Sequence, residues 1–455
     1  MPSGPVIPPR AEPTAAPIPD DLLNEAPSPI VPPSPRPTPA DPEAARTVMR
    51  LEDFERIALE QNPTLAQAAA VVGVSRGRAW QAGLWPNPLM GYQGEQFGAK
   101  DGGPRPAVGK QMAFFQQEIP SARRQQVSRR KFEWEAQSAR WYAAAQELRV
   151  LNSVRIHFFE ALGAQQQVTT RRELLAIADA ALRTTEEMVN DGQANAPDLL
   201  MAQVQQQQTR VALVVAENEF RRAWASLVAE VGTRALPPTR LEGPLDADSP
   251  DLDYDATLNY VLENSPEIKA ALAEIRRDEV VVQRERLQPI PNLFVKGAVG
   301  ENFIDGGTTS NLSIYGNIPV WNKNQGTIYQ ATSHLRQARA NLDRLRLSLE
   351  KRLAEQLADY NGALALTRTY RDETLPRAKE AYDLLLESYR RRRAAWPQVL
   401  VAQRMWFDLR VQYVTSLIAL RHAEVEIKGL LLVGGLELPQ TPEPLGNINV
   451  SPDPR

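Results

Sequence analysis

The chain has 455 residues and a net charge of -3, with 52 lysines and arginines against 55 aspartates and glutamates. That balance gives no electrostatic case for a nucleic-acid partner. With no cysteine in the chain, disulfides, thiolate metal sites and a thiol nucleophile are excluded. It contains no run of 18 apolar residues, so no transmembrane helix is expected, and a membrane role would have to come through a β-barrel, whose strand signal is much weaker.

Residues 1–46 are unlike the rest: fifteen of the first 42 are proline. Such a segment buries too little apolar surface to offset its ordering entropy and reads as disordered or polyproline-like. It lacks the charged start and apolar core of a secretory signal, so no signal peptide is visible. A first unit follows at 47–232. Its patterning predicts helices at 51–62 and 64–84, broken at Asn62-Pro63, because proline disfavours a helical residue before it. Pro86-Asn87-Pro88 ends the second helix. Period-2 alternation then predicts strands at about 89–97 and 108–119, joined by a glycine-rich loop at 98–104. After Ile119-Pro120 comes a helical stretch to about 190, some 70 residues or about 105 Å long. A turn at Asp191-Gly192-Gln193-Ala194-Asn195-Ala196-Pro197 leads to a last helix at about 198–232.

Residues 233–253, with Pro237-Pro238 and Gly243-Pro244, read as a linker. The unit then repeats at 254–435, with helices at 254–264 and 266–287, strands in 293–318, a long helix at about 322–392 and a last helix at 398–433. Residues 436–455 read as a disordered tail. The duplication is visible in the residues themselves. Leu84-Trp85-Pro86-Asn87-Pro88 returns as Leu287-Gln288-Pro289-Ile290-Pro291. Glu118-Ile119-Pro120 returns as Asn317-Ile318-Pro319, and Pro197-Asp198-Leu199-Leu200 as Pro397-Gln398-Val399-Leu400. The last helices carry apolar seams stepping by seven, Leu213-Phe220-Leu227 and Tyr413-Leu420-Ile427, the spacing of a coiled-coil seam. The fold class is therefore mainly α with a small β part. Four strands cannot close a barrel alone, so sharing them among protomers is the economical solution. Three protomers would supply twelve.

The tandem repeat, the strand pair set in long helices and the Pro-x-x-Leu-x-Ala-Gln helix start resemble the TolC family of outer-membrane efflux proteins, over about residues 47–436. Leu84-Trp85-Pro86-Asn87-Pro88, Gln117-Glu118-Ile119-Pro120 and Arg123-Arg124 are most similar to its heavy-metal efflux branch, of the CzcC and CusC type. The resemblance implies a homotrimer with a twelve-stranded β-barrel in outer-membrane lipid and a long α-barrel projecting into the periplasm. It also implies a periplasmic adaptor and an inner-membrane pump of the RND type as partners. The same fold serves type I protein secretion, which is the alternative function. A soluble coiled-coil scaffold is a second alternative, disfavoured by glycine-tipped strand pairs at equivalent places in both halves.

No nucleophile motif, P-loop or dinucleotide fingerprint appears, so neither enzyme activity nor a cofactor is expected. His157, His334 and His422 sit singly in predicted helices, and no metal site is expected there. The candidate functional residues are those of the two turns, which in the family form the periplasmic aperture or adaptor contact. They are Asp191, Gly192 and Asp198 in the first, and Arg390, Arg391, Arg392, Arg393 and Gln398 in the second. Either the arginines are a solvated helix end that complements the dipole, or they pair with Asp191 and Asp198 to hold an aperture shut or form an adaptor patch. Two residues depart from the family. Arg392 stands where a glycine is usual, and Gln398 with Val401 replaces aspartates, which puts an acidic selectivity ring in doubt. Gln205–Gln208 reads as a polar coiled-coil face. Trp80 and Trp85 lie at the helix-to-strand switch, either at a membrane interface or packing the junction.

Overall fold

A computed structural model of the chain describes residues 48–96, 98–99, 106–107, 109–192, 195–233, 236–303, 306–391 and 393–444. The proline-rich segment, most of the first strand-pair loop, Arg392 and the last eleven residues lie outside the described residues.

The first repeat opens with α1 (Leu51–Gln61) and α2 (Pro63–Gly83). Between them Asn62 is extended, and its side chain accepts a hydrogen bond from the Thr64 amide at 2.9 Å. Pro63 then occupies the first helical position, where a missing N–H costs nothing. The second repeat does the same with α5 (Tyr254–Asn264), the cap Ser265 and α6 (Pro266–Leu287). Strand β1 (Leu89–Glu95) is followed by the two-residue strands β2 (Gly98–Ala99) and β3 (Pro106–Ala107), which pair with each other, and by β4 (Lys110–Ile119). The helix α3 (Arg124–Asn190) has 67 residues and spans roughly 100 Å. It packs along α4 (Ala196–Val231) and along α2 and α6.

In the second repeat, β5 (Leu293–Asn302) and β6 (Gly307–Tyr315) precede α7 (Gln325–Thr369). The expected single long helix is here interrupted: Tyr370–Thr374 form a π-helical turn before α8 (Leu375–Arg390). Pro376 has no amide to donate to the Asp372 carbonyl, and its ring crowds that carbonyl, so the backbone widens. The stretch 124–190 has no proline and stays α-helical throughout. Both long helices start after a non-glycine residue in left-handed conformation, Arg123 (φ 53°) and Asn324 (φ 59°), which turns the chain sharply out of the sheet.

The last helix, α9 (Trp396–Lys428), stops five residues short of the expected end. Asn152 Nδ2 donates to the carbonyls of Gly429 and Leu432 at 2.9 and 2.7 Å. A Cβ on Gly429 would meet the Asn152 side chain at 2.1 Å, so only glycine lets this contact form. Leu430, Leu431 and Leu432 are buried, and that burial holds the first two at positive φ. The segment 436–444, expected as disordered, is instead pinned. Arg277 donates to the Glu443 carbonyl at 2.8 Å, and the Glu443 amide donates to Glu274 at 3.2 Å. The linker is likewise fastened to the helices. Leu241 and Leu245 are buried, Met49 bridges to Leu241, and Arg421 donates to the carbonyls of Leu245 and Ala247.

The four main strands form one antiparallel sheet in the order β1-β4-β5-β6. Directly opposed residues share a face. One face carries Met90, Tyr92, Phe115, Val299, Leu312 and Ile314, all exposed. The other carries Gln93, Gln116, Lys296, Asn311 and Ser313. There Lys296 Nζ lies 2.5 Å from Gln93 Oε1 and 4.3 Å above the Phe114 ring, and Tyr315 donates to Gln116 at 2.8 Å. An apolar face against a polar one, period two, is the pattern of an outer-membrane barrel strand. Within the chain, β1 and β6 each leave one edge unpaired.

Candidate functional site

The two turns cap the two helical hairpins. In the first, the Asp191 and Gly192 amides close the end of α3 on the carbonyls of Glu187 and Val189 at 2.9 and 3.0 Å. Gly192 has φ +69° and a Cβ there would meet nothing within 4 Å. Its requirement is therefore conformational and not steric. Asp198 sits at the third position of α4 and accepts from the Asn195 amide at 3.4 Å. It is a capping-box acid at the positive end of a helix.

The second turn copies this geometry. The Arg391 and Arg393 amides close α8 on Glu387 and Ser388 at 3.0 and 2.8 Å. Gln398 accepts from the Ala395 amide at 3.3 Å, so it performs the cap of Asp198 without the charge. The arginines do not meet the aspartates inside one protomer: among the described residues no ion pair joins Arg390, Arg391 or Arg393 to Asp191 or Asp198. Arg391 instead pairs with Glu387 one turn back, and Arg392 lies outside the described residues. Among the described residues the expected bridging therefore has no counterpart within one protomer.

What holds the tip together is an aromatic cluster that the sequence reading did not single out. Trp396 is 2% exposed and packs on Tyr389 with ring centroids 4.9 Å apart. Tyr382 stacks on Trp406 at 5.3 Å. Leu174 of α3 and Ala202 of α4 join the same core, so both hairpins share it. Burial pushes the phenols of Tyr382 and Tyr389 up from their ordinary value, and the Asp198 carboxylate raises Tyr389 further. The available signal was the Tyr382, Tyr389, Trp396 spacing of seven across a turn, which a helix-by-helix reading splits.

Gln205 and Gln208 accept from Arg404 at 2.9 and 3.1 Å, and Gln206 donates to Asp179 at 2.8 Å. The glutamine run thus forms polar bonds between helices. His157 meets Glu160 at 2.9 Å and His422 meets Glu426 at 3.4 Å, carboxylates one turn on that the sequence reading missed. The Glu160 hydrogen bond raises the His157 pKa from its usual value. Among the described residues no group of three or more histidines, cysteines or carboxylates converges on a metal position, and no helix is long and apolar enough to cross a membrane. Trp80 and Trp85 stay exposed within the chain, so they do not pack the junction.

The sequence profile of the outer membrane efflux protein family matches residues 56–233 and 257–431, one match for each repeat. The chain belongs to the outer membrane efflux protein family. That family is one of outer-membrane efflux channels and not of enzymes, and the two matches coincide with the duplication. The cobalt-zinc-cadmium resistance protein CzcC of Cupriavidus metallidurans is 26% identical over 260 residues, which are 56% of this chain and 61% of that relative. Among solved structures, CusC superposes with a TM-score of 0.73 at 16% identity, covering 87% of this chain and 95% of CusC. A membrane protein from Pseudomonas aeruginosa gives 0.71 at 17% identity, covering 90% and 98%. Both have the same fold as this efflux-family chain, as the TolC resemblance implied.

Proposed function

We propose that three copies of this chain form the exit duct of a tripartite efflux system, passively conducting substrate received from an inner-membrane pump and a periplasmic adaptor. The observation that carries the reading is the four-stranded sheet, with one apolar face, one polar face and two open edges. An unpaired edge in hydrocarbon costs several kcal/mol per polar group, so closure with other copies is required. Twelve strands from three copies make an even-numbered barrel with the polar face, including Lys296, lining the lumen. The mass of the purified protein in detergent should be that of a trimer; a stable monomer rejects the barrel.

The proposed cargo is a divalent metal cation, supported by the name of the CzcC relative, and the proposed pump is of the RND type. Deleting the gene should lower tolerance of cobalt, zinc or cadmium, and a plasmid copy should restore it. Unchanged metal tolerance with lost tolerance of organic toxicants would reassign the cargo.

At the tip, the arginine cluster is proposed to bind the acidic turns of neighbouring protomers and so restrain a closed aperture. Four consecutive arginines repel one another, which makes a carboxylate partner favourable. Exposed pairs are worth about 0–1 kcal/mol each, so several must act together around the assembly. Replacing Arg391 and Arg392 by Ser should raise single-channel conductance in a planar bilayer, more at low salt than at high salt because exposed charges are screened. Unchanged conductance with lost adaptor binding would make the cluster a docking surface.

A further inference from the structure

The junction between sheet and helices carries three exposed cations that lack ion-pair partners. Arg123, Arg286 and Lys323 are exposed, and among the described residues none makes an ion pair. Some exposed arginines elsewhere are paired, Arg56 with Asp53, Arg222 with Glu219 and Arg371 with Asp248. At the junction the carboxylates Glu118 and Glu285 are engaged by Asn292, Arg284 and Asn324 and not by these three cations. Arg124 is depressed below its usual value by burial and then by the Arg284 guanidinium.

Four segments of the chain are tied at this level. Ser121 donates from its amide to Asn292 and from its hydroxyl to the Ile290 carbonyl, each at 3.1 Å. Asn324 Nδ2 donates to the Glu285 carbonyl at 2.9 Å. Gln125 donates to the Leu84 carbonyl, also at 2.9 Å. Arg123, Arg286 and Lys323 therefore share a collar with Trp85. That tryptophan is 64% exposed and Trp321, two residues before Lys323, is 89% exposed. The collar begins where the apolar sheet face ends, at Ile119 and Leu293, both exposed. An apolar face that meets lipid tails puts the next turn of chain at the headgroup layer. Tryptophan favours that layer, and unpaired lysine and arginine there attract phosphate.

We propose that this collar, Arg123, Arg286 and Lys323 flanked by Trp85 and Trp321, binds the headgroups of anionic phospholipids in the leaflet on the helical side of the barrel. The proposal rests on the outer-membrane duct reading. Headgroup binding gives the barrel a fixed depth in the bilayer, because the apolar face and the cations satisfy different layers at once.

The full chain is reconstituted into nanodiscs of phosphatidylcholine mixed with phosphatidylglycerol, extracted, and its retained lipid counted by native mass spectrometry. The wild type should retain phosphatidylglycerol preferentially. Each of Arg123→Gln, Arg286→Gln and Lys323→Gln should cut that preference about fivefold, and the triple variant should retain both lipids equally. High salt should weaken the preference in the wild type. If the triple variant does not assemble, the three single variants decide. Equal retention by an inserted wild type overturns the collar alone, as does an undiminished preference in the variants. Failure of the wild type to enter any bilayer overturns the duct reading and the collar with it.

Discussion

Replacing Trp396 by Ala should loosen the tip by about 3–5 kcal/mol, the cost of truncating a large buried aromatic that leaves a cavity. Trp396 is almost wholly enclosed, with Tyr389 and Val399 buried beside it. It is the first residue of α9 and Tyr389 lies in the last turn of α8, so their contact is what closes the second turn. Core shared by Leu174 and Ala202 ties that turn to the first hairpin. The effect should be local, because the cores built on Leu349 and Leu353 and on Phe54 and Phe158 are separate clusters. Hydrogen exchange should therefore accelerate strongly in 378–410 and little in α1 or α5. On the duct reading the same variant should raise resting conductance. Uniform acceleration over the whole chain would mean that the tip is not a separate unit; no acceleration at 378–410 would mean that Trp396 does not hold it.

Arg149→Met should cost about 3 kcal/mol and act on the whole helical body. Arg149 Nη2 lies 2.7 Å from Glu267 Oε1 with both side chains nearly buried, and Arg352 reaches Glu267 Oε2 at 3.2 Å. The three residues come from α3, α6 and α7, so the bridge joins the two repeats. Removing one partner of a buried pair costs about 3–5 kcal/mol, since it strands a charge away from water. The retained Arg352 and the helix terminus at Glu267, the second residue of α6, keep the loss at the lower end. The pair itself is worth much less than its breakage. Arg149→Met combined with Glu267→Gln should recover part of the lost stability, because the buried carboxylate is gone and the remaining charge, Arg352, reaches solvent and keeps its bond to the Leu431 carbonyl. Loss of helical circular dichroism on heating is the measurement. A double variant as unstable as, or less stable than, the single one would show that no stranded charge was responsible.

Much of this architecture was legible because its signals are local. Asn62-Pro63 and Ser265-Pro266 each carry a cap and a helix-starting proline within two residues, and the breaks fall there. The bounds of α5 and α6 matched the expected 254–264 and 266–287. Period-2 alternation located the four main strands, and the duplicated motifs announced two equivalent units. The first turn was likewise legible as a helix end, since Gly192 beside the last turn of α3 is a local signal.

The rest was set by contacts between residues about two hundred positions apart. Whether α9 runs to 433 or stops at Lys428 depends on Asn152, which lies on α3 and binds Gly429 and Leu432. Whether residues 436–444 are loose depends on Arg277 and Glu274 of α6. The π turn depends on Pro376 within a helix that packing keeps continuous from Gln325 to Arg390. Whether the arginines at 390–393 meet Asp191 and Asp198 of neighbouring protomers is decided by assembly and not by a local pattern. Within one chain Arg391 finds Glu387, because a residue four back on the same helix is always near. Composition, proline placement and periodicity thus determined the repeat and its elements, and the duplicated motifs carried the family resemblance. Only the tertiary structure decided where the helices end and which side chains meet, because those outcomes depend on long-range packing that no local pattern encodes.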